Sequence, residues 1–334
     1  MDGQSTQFLY LHKYLVGGAT TFTAHLIHQM MNNKPIILRP GNANRSEKKL
    51  REFGYGLVYQ NVTSDAVYKI KYPFIALYKE NYFHLISKLS EIRKNFGDIT
   101  LVIHDHRDIS KLSVPYVKKW KLITIRKTVQ HYLKNKFDLD SLFLPHPFYT
   151  YPIVTKKVPT DAVSISRISF EKNTDIILRA NKLLSDSQSI KLYGCLSRMY
   201  VHHFLGGKNG DFARYYYGQF EKSFSTLSKI LAEAKFVVDL SVLKHDGGGT
   251  QYTFLEAIHN GCALILHRNW LKNTDVIEEY CDFKEGYNCF AIEDEKELSD
   301  LIKKNPDTSK IVKNAKKLIK RHANVDWSFL LKND

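Results

Sequence analysis

Strand-like apolar runs alternate with helical stretches along this 334-residue chain, in two series separated by residues 142–152, which hold Pro145, Pro147 and Pro152. Such alternation commits a chain to parallel sheets, because parallel strands are joined only by crossovers of a dozen or more residues, usually helices. In the first series, residues 8–11, 35–38, 99–103 and 122–125 read as strands. Residues 20–31, with Phe22, Leu26 and Met30 at helical spacing, and residues 82–96 read as helices. The second series places strands at 162–165, 189–193, 235–240 and 263–267, with helices after Lys172, Phe220 and Thr250. A chain of this length exceeds one ordinary core. The expected fold class is therefore α/β: two Rossmann-like, doubly wound domains, 1–150 and 151–334, facing each other across a cleft.

Composition bounds the partners. With 43% hydrophobic and 25% charged residues the chain is globular, and no apolar run reaches the roughly 18 residues of a membrane span. The first seven residues lack the basic and apolar regions of a signal peptide, so a cytoplasmic protein is expected, in the host cytoplasm if viral. Cys195, Cys262, Cys281 and Cys289 form no C-x-x-C pair, so neither a zinc site nor a disulfide framework is suggested. Positive charge is uneven. Residues 1–150 carry 22 Lys/Arg against 11 Asp/Glu, and residues 151–334 carry 27 against 23. A basic first domain suits an anionic acceptor such as nucleic acid or a membrane surface; the plain alternative is a lysine-rich composition that serves solubility. The lysine-rich amphipathic stretch 307–322 reads as a solvated closing helix.

Four places carry residues suited to chemistry. Arg167 and Lys172 follow the strand at 162–165; an arginine fork and a lysine at the mouth of the next helix can neutralise a leaving diphosphate, although two exposed cations can also be mere solvated charges. Gly17 and Gly18, followed by Thr20 and Thr21, allow a ligand to approach backbone amides at a helix N-terminus, but Gly-Gly is also a plain turn and the full G-x-G-x-x-G is absent. His104, Asp105 and His106 directly follow an apolar strand, at an edge where side chains seldom serve packing. Asp105 could accept a proton or hold a hydroxyl, and His104 could hydrogen-bond a sugar or phosphate. The alternatives are a structural role or a metal site, for which no third ligand has a recognisable spacing. Finally, Gly247, Gly248, Gly249, Thr250 and Gln251 open a helix that carries Glu256. Its first amides could bind phosphate and Glu256 the two hydroxyls of a ribose, against the alternative of a loop and an exposed helical glutamate.

The order of these motifs resembles that of the GT-B nucleotide-sugar glycosyltransferases. The likeness is carried by Arg167 with Lys172, Tyr193-Gly194 at a strand end, the helix with Glu256, Gly261-Cys-Ala-Leu-Ile-Leu, and Gly286-Tyr-Asn288. In retaining members the matching Arg and Lys bind the diphosphate and the helical Glu binds the ribose. One position departs: the E-x7-E pattern of the family has its first glutamate where this chain has Gly248. A narrower resemblance is to the bacteriophage DNA alpha-glucosyltransferases that act on 5-hydroxymethylcytosine, through Gly18-Ala-Thr-Thr-Phe22, the His104–His106 triplet, Arg167 and Lys172 after Ser-Ile-Ser, Tyr193-Gly194, and the glycine loop without the first glutamate.

What the resemblance implies is a retaining transfer of a hexose or pentose from a UDP-sugar to a hydroxymethyl-pyrimidine in double-stranded DNA, by a monomer needing no cofactor and no metal. His104 and Asp105 would then lie beside the reacting carbon and the acceptor hydroxyl. Gly17, Gly18, Arg167, Lys172, Gly194, Gly248, Gly249, Thr250, Gln251 and Glu256 would hold the donor. Arg45, Lys48, Lys49, Arg107 and Lys111 would serve the DNA, with Arg51 a further candidate. Two alternatives stand: a transferase of cell-surface polysaccharide or glycolipid synthesis, and a non-catalytic nucleic-acid-binding protein.

Overall fold

The computed structural model describes residues 7–12, 17–30, 35–41, 50–70, 72–92, 99–155, 158–206, 211–243, 246–272 and 278–328. The chain forms two compact units, Met1–Tyr149 with His322–Asp334, and Thr150–Arg321.

The first unit contains β1 (Gln7–Leu11), β2 (Ile37–Pro40), β3 (Leu50–Gly54), β4 (Leu57–Val62), β5 (Pro73–Tyr78), β6 (Thr100–Ile103), β7 (Lys121–Thr124) and β8 (Leu142–Phe143), in the order β3-β4-β2-β1-β5-β6-β7-β8. All neighbours pair in parallel except the antiparallel β3 and β4. The second contains β9 (Asp161–Ser164), β10 (Lys191–Tyr193), β11 (Tyr216–Gly218), β12 (Ala234–Asp239), β13 (Ala263–His267) and β14 (Phe290–Ile292), all parallel, in the order β11-β10-β9-β12-β13-β14. Both are doubly wound sheets. Strand order reverses between β1 and β5 in the first and between β9 and β12 in the second, and ligands of open α/β sheets bind at the carboxyl ends of strands at such a switch point.

Helices cover the faces of each sheet, so the strands are apolar on both sides. All six residues of β5 and all five of β13 are buried. Burying a leucine or isoleucine such as Leu264 or Ile265 contributes about 1.5–3 kcal/mol each. Side chains fix several helix starts: Ser223 accepts from the Thr226 amide, and Asp294 from that of Glu297.

The C-terminal tail departs from a simple division at the prolines. The expected second domain, 151–334, ends early, because the chain from His322 belongs to the first unit. Its reasons are specific contacts. The His322 ring lies 2.9 Å from the His146 carbonyl, the Trp327 indole donates to the Pro145 carbonyl at 3.2 Å, and the Gln29 amide donates to the carbonyls of Ala323 and Val325. Trp327 is buried, with its ring edge-on to Phe22. The helix Ser309–Ala323, read from sequence as merely solvated, leads the chain into this docking.

Candidate active site

In the second unit the loop after β9 carries Arg167 and ends in a short turn, Phe170–Lys172, before the helix Thr174–Leu183. Lys172 is not a solvated charge. Its ammonium reaches the Asp239 carboxylate at 3.2 and 2.9 Å, Ser241 Oγ at 2.6 Å and Gln251 Oε1 at 2.9 Å. The Asp239 side chain is fully buried at the end of β12. Two further bonds stitch the same loops: the Asn173 amide donates to the Leu240 carbonyl, and the Val242 N–H to the Glu171 carbonyl. A cation is thus held on a buried anion at the switch point between β9 and β12. Arg167 is held more loosely, donating to Ser169 Oγ at 3.3 Å and to Glu171 at 2.8 Å in a half-exposed pair, which an incoming phosphate can replace at little cost.

Gly194 brings the end of β10 against this loop. Its φ is +141°, and a Cβ there would stand 2.2 Å from the Ser166 carbonyl oxygen. Its N–H donates to the Gly218 carbonyl and its own carbonyl accepts from the Tyr216 hydroxyl.

The glycine loop before the helix Tyr252–His259 is pinned through its backbone. Gly248 donates to the Trp270 carbonyl and accepts from the Asp282 N–H, while the Trp270 indole donates to the Gly249 carbonyl. Asn288 holds the neighbouring turn by accepting from the Lys284 N–H and donating to the Asp282 carbonyl. Gly248 has φ +69°, and a Cβ would lie 3.0 Å from Cys281 Cα. A glutamate there would be strained by the backbone and crowded by Cys281, in keeping with the departure from E-x7-E. Gln251, at the N-cap, gives its side chain to Lys172 and not to the helix amides. The helix start therefore presents its positive end beside the Lys172 ammonium, an arrangement suited to an anion.

Glu256 is buried in this helix, which removes the reading of an exposed glutamate. Burial pushes its carboxyl pKa up to about 8 from an ordinary 4.5. The folded protein thus holds a proton that the unfolded chain loses, so stability is present in full below about pH 4.5 and declines until about pH 8. In E256Q that loss is absent. Thermal melts across this window should show the variant gaining on the parent by about 1.4 kcal/mol per pH unit; parallel curves would place Glu256 in a solvated setting.

In the first unit, Gly17 has φ +71° and its carbonyl accepts from Thr20 N–H as the helix Gly18–Met30 begins; neither Gly17 nor Gly18 has anything within 4 Å of an added Cβ. Phe22 of this helix meets His104 edge-on, with centroids 4.6 Å apart. His104 Nε2 lies 2.7 Å from the Ala76 carbonyl in β5 and so carries the proton, leaving Nδ1 as an acceptor. Burial lowers the His104 pKa to about 4, so the ring is neutral at ordinary pH. The Arg126 guanidinium donates to the His104 carbonyl at 2.6 Å, and Lys79 pairs with Asp108, whose other oxygen accepts from the N–H groups of His104 and Asp105.

Asp105 is committed locally. Its carboxylate accepts from the Arg107 backbone N–H at 2.9 Å and from the guanidinium at 2.9 and 2.7 Å. Burial would raise its pKa, but the Arg107 hydrogen bonds and the charges of Arg126 and Arg107 hold it well below the usual carboxylate range. Such a group is a fixed negative charge and a weak base. Arg107, expected to face the acceptor, is the partner of Asp105 in this geometry. Lys111 is exposed, and Arg45, Lys48 and Lys49 lie outside the described residues.

Sequence reasoning passed over Asp239, Ser241, Lys79, Asp108 and Arg126. The signal for Asp239 was close to the one that singled out His104, a polar residue in the last position of a largely apolar strand. Among the described residues, no group of three or more His, Cys, Asp or Glu gathers as a metal cluster, and no helix is long and apolar enough to cross a membrane.

No family model and no curated protein sequence matches the chain. Solved structures do. Anabaena HepE in complex with UDP and glucose superposes with a TM-score of 0.69 over 95% of each chain at 13% identity. The alpha-glucosyltransferase in complex with UDP and a 13-mer DNA containing a HMU base gives 0.63 over 98% of this chain and 97% of that one, also at 13% identity. The fold is GT-B. A glycosyltransferase from Rickettsia africae gives 0.63 at 12% identity, covering 95% and 93%. Within the GT-B fold, the Lys172 lattice, Gly194 and the glycine loop fall at the carboxyl ends of β9, β10 and β12, and His104–Asp105 at that of β6.

Proposed function

We propose that this protein is a retaining glycosyltransferase that moves a sugar from a UDP-sugar to the hydroxymethyl group of a modified pyrimidine in duplex DNA. The observation that carries the donor half is Lys172, seated on buried Asp239 beside the start of the helix Tyr252–His259. Such a cation is oriented in advance of any ligand, so it stabilises the charge of the departing diphosphate without reorganising. Arg167 leaves Glu171 to grip a second phosphate, and Glu256 accepts from the ribose hydroxyls. Arg167 and Lys172 supply the neutralising charge, so the reading assigns no cofactor.

In the first unit the neutral His104 offers Nδ1 to a sugar hydroxyl. Asp105 offers its negative charge to the electron-poor sugar carbon or to the acceptor hydroxyl. The bond from the sugar's anomeric carbon to the diphosphate oxygen breaks as the bond to the hydroxymethyl oxygen forms on the same face. The hydroxyl proton passes to the departing phosphate oxygen, because Asp105 is too weak a base to keep it.

The excess of 22 basic over 11 acidic residues in 1–150 supports an acceptor made of phosphodiesters, as does the likeness to an enzyme bound to DNA. The second reading, a transferase acting on cell-surface glycan or lipid, stands beside it because HepE, solved with UDP and glucose, superposes at a TM-score of 0.69 against 0.63 for the DNA-bound enzyme. The deciding experiment incubates the protein with nucleotide sugars and hydroxymethylcytosine-containing duplex, then weighs the nucleosides, with unmodified DNA as control. A gain of one sugar on the modified base is expected. Donor hydrolysis without any nucleoside gain would move the proposal to the glycan acceptor, and neither activity would leave a binding protein.

A further inference from the structure

Between Ile109 and Phe137 the chain carries eight Lys/Arg and no Asp or Glu, although it holds 34 acids among 334 residues. This stretch builds the short helix Val114–Val117, β7 and the helix Lys127–Phe137 of the first unit. Its lysines are not neutralised evenly. Lys134 is tied to Asp138 and Asp140. Lys111, Lys118, Lys119 and Lys136 are exposed, and no carboxylate among the described residues pairs with them. Lys136 instead donates to the Tyr132 hydroxyl at 2.6 Å and stands 4.9 Å from the Tyr132 ring centre, which fixes its ammonium at the surface.

The topology gathers these charges. Lys118 and Lys119 precede β7, whose first residue is Lys121, and buried Trp120 anchors the backbone between them. The helix Lys127–Phe137 returns beside β7 through a connection of two residues, Ile125 and Arg126. Its eleven residues span about 16 Å and the four of β7 about 13 Å. The last helical turn, with Lys136, thus returns towards the amino end of β7, the end that Lys118 and Lys119 precede. Lys111 lies on the path from the His104–Asp105 edge towards that end.

The geometry points to a phosphate-binding track: Lys111, Lys118, Lys119 and Lys136 dock the backbone of duplex DNA along a line that leads away from the His104–Asp105 edge. This rests on the DNA acceptor proposed above and adds a contact surface that joins the His104–Asp105 edge through Tyr132, whose ring lies 5.2 Å from that of His106. Duplex DNA fits better than an anionic membrane. A surface-seated helix needs a broad apolar face beside its charges, and the stretch offers Leu112 alone as an exposed large hydrophobic residue, at 68% exposure.

The test uses the full chain and a fluorescent, unmodified short duplex, with anisotropy measured between about 50 and 200 mM salt. The variant K118Q/K119Q/K136Q is compared with the parent and with K303Q/K304Q/K310Q, which removes equal charge from the second unit. Thermal melts check that both variants fold. The slope of log affinity against log salt should fall by about 2.7 in the first variant and stay near the parent value in the second. An unchanged slope in the first variant, or an equal fall in both, overturns the track while leaving sugar transfer to DNA intact as a reading. A parent that ignores duplex but binds phosphatidylserine vesicles overturns the track and the DNA acceptor together.

Discussion

Replacing Lys172 with methionine should produce the largest loss, in both stability and donor chemistry. Asp239 is wholly buried, and Lys172 is the cation it pairs with; Ser241 adds an N–H at 3.1 Å and its hydroxyl. Removing one member of a buried pair leaves a desolvated charge and costs about 3–5 kcal/mol. For a unit of this size that is a fall of roughly 10 °C in melting temperature. Donor hydrolysis should fall by about a hundredfold or more, as when a preorganised electrostatic group is deleted. The double variant K172M/D239N separates the two effects. With the orphaned charge removed, the melt should recover much of the loss while UDP affinity and hydrolysis stay low. If hydrolysis recovers with the melt, Lys172 serves only to satisfy Asp239, and the diphosphate role assigned to it falls.

The second large effect is expected at Gly194. A methyl group there meets the Ser166 carbonyl oxygen at 2.2 Å, and that oxygen is backbone, so no rotamer change relieves the clash. Overpacking of this kind and a backbone angle that side chains avoid together cost about 4 kcal/mol in Gly194→Ala. The displaced segment is Ser166–Arg167, so UDP binding should weaken along with the melt. Gly18→Ala is the matched control: nothing lies within 4 Å of its added Cβ, its φ is not positive, and alanine favours a helix start. Equal melting of the two variants would mean that β10 does not press on the Arg167 loop.

What the sequence revealed follows physical lines. Strands with polar residues at their ends, such as β6 and β12, were readable, as was the helix carrying Glu256. The strand β5 was not, although it is as fully buried as β13, which was read; an unbroken apolar run without alternation carries no strand period to separate it from a buried helix. The short β8 and β11 have too few residues for any period. Arg167 and Lys172 stood out by spacing, but the partners that define Lys172 are 67, 69 and 79 residues away and meet only when the sheet forms. The clamp of Asp105 by Arg107 is the reverse case. It joins residues two apart, and its consequence, a carboxylate too acidic to act as base, needed the Arg107 hydrogen bonds and the nearby Arg126, which together outweigh burial, to be seen. Gly248 was visible as a missing glutamate; its positive φ and its closeness to Cys281 show that a side chain there would be strained.

The docking of His322 to Trp327 on the first unit has a practical consequence for anyone who would dissect this protein. Two stretches of polypeptide far apart in sequence share a single core, so no one cut yields both halves intact. A fragment stopped at Tyr149 would expose Phe22 and strip the Gln29 amide of its two acceptors. To obtain the first unit by itself, the closing peptide must be grafted back through a linker or supplied as a separate strand.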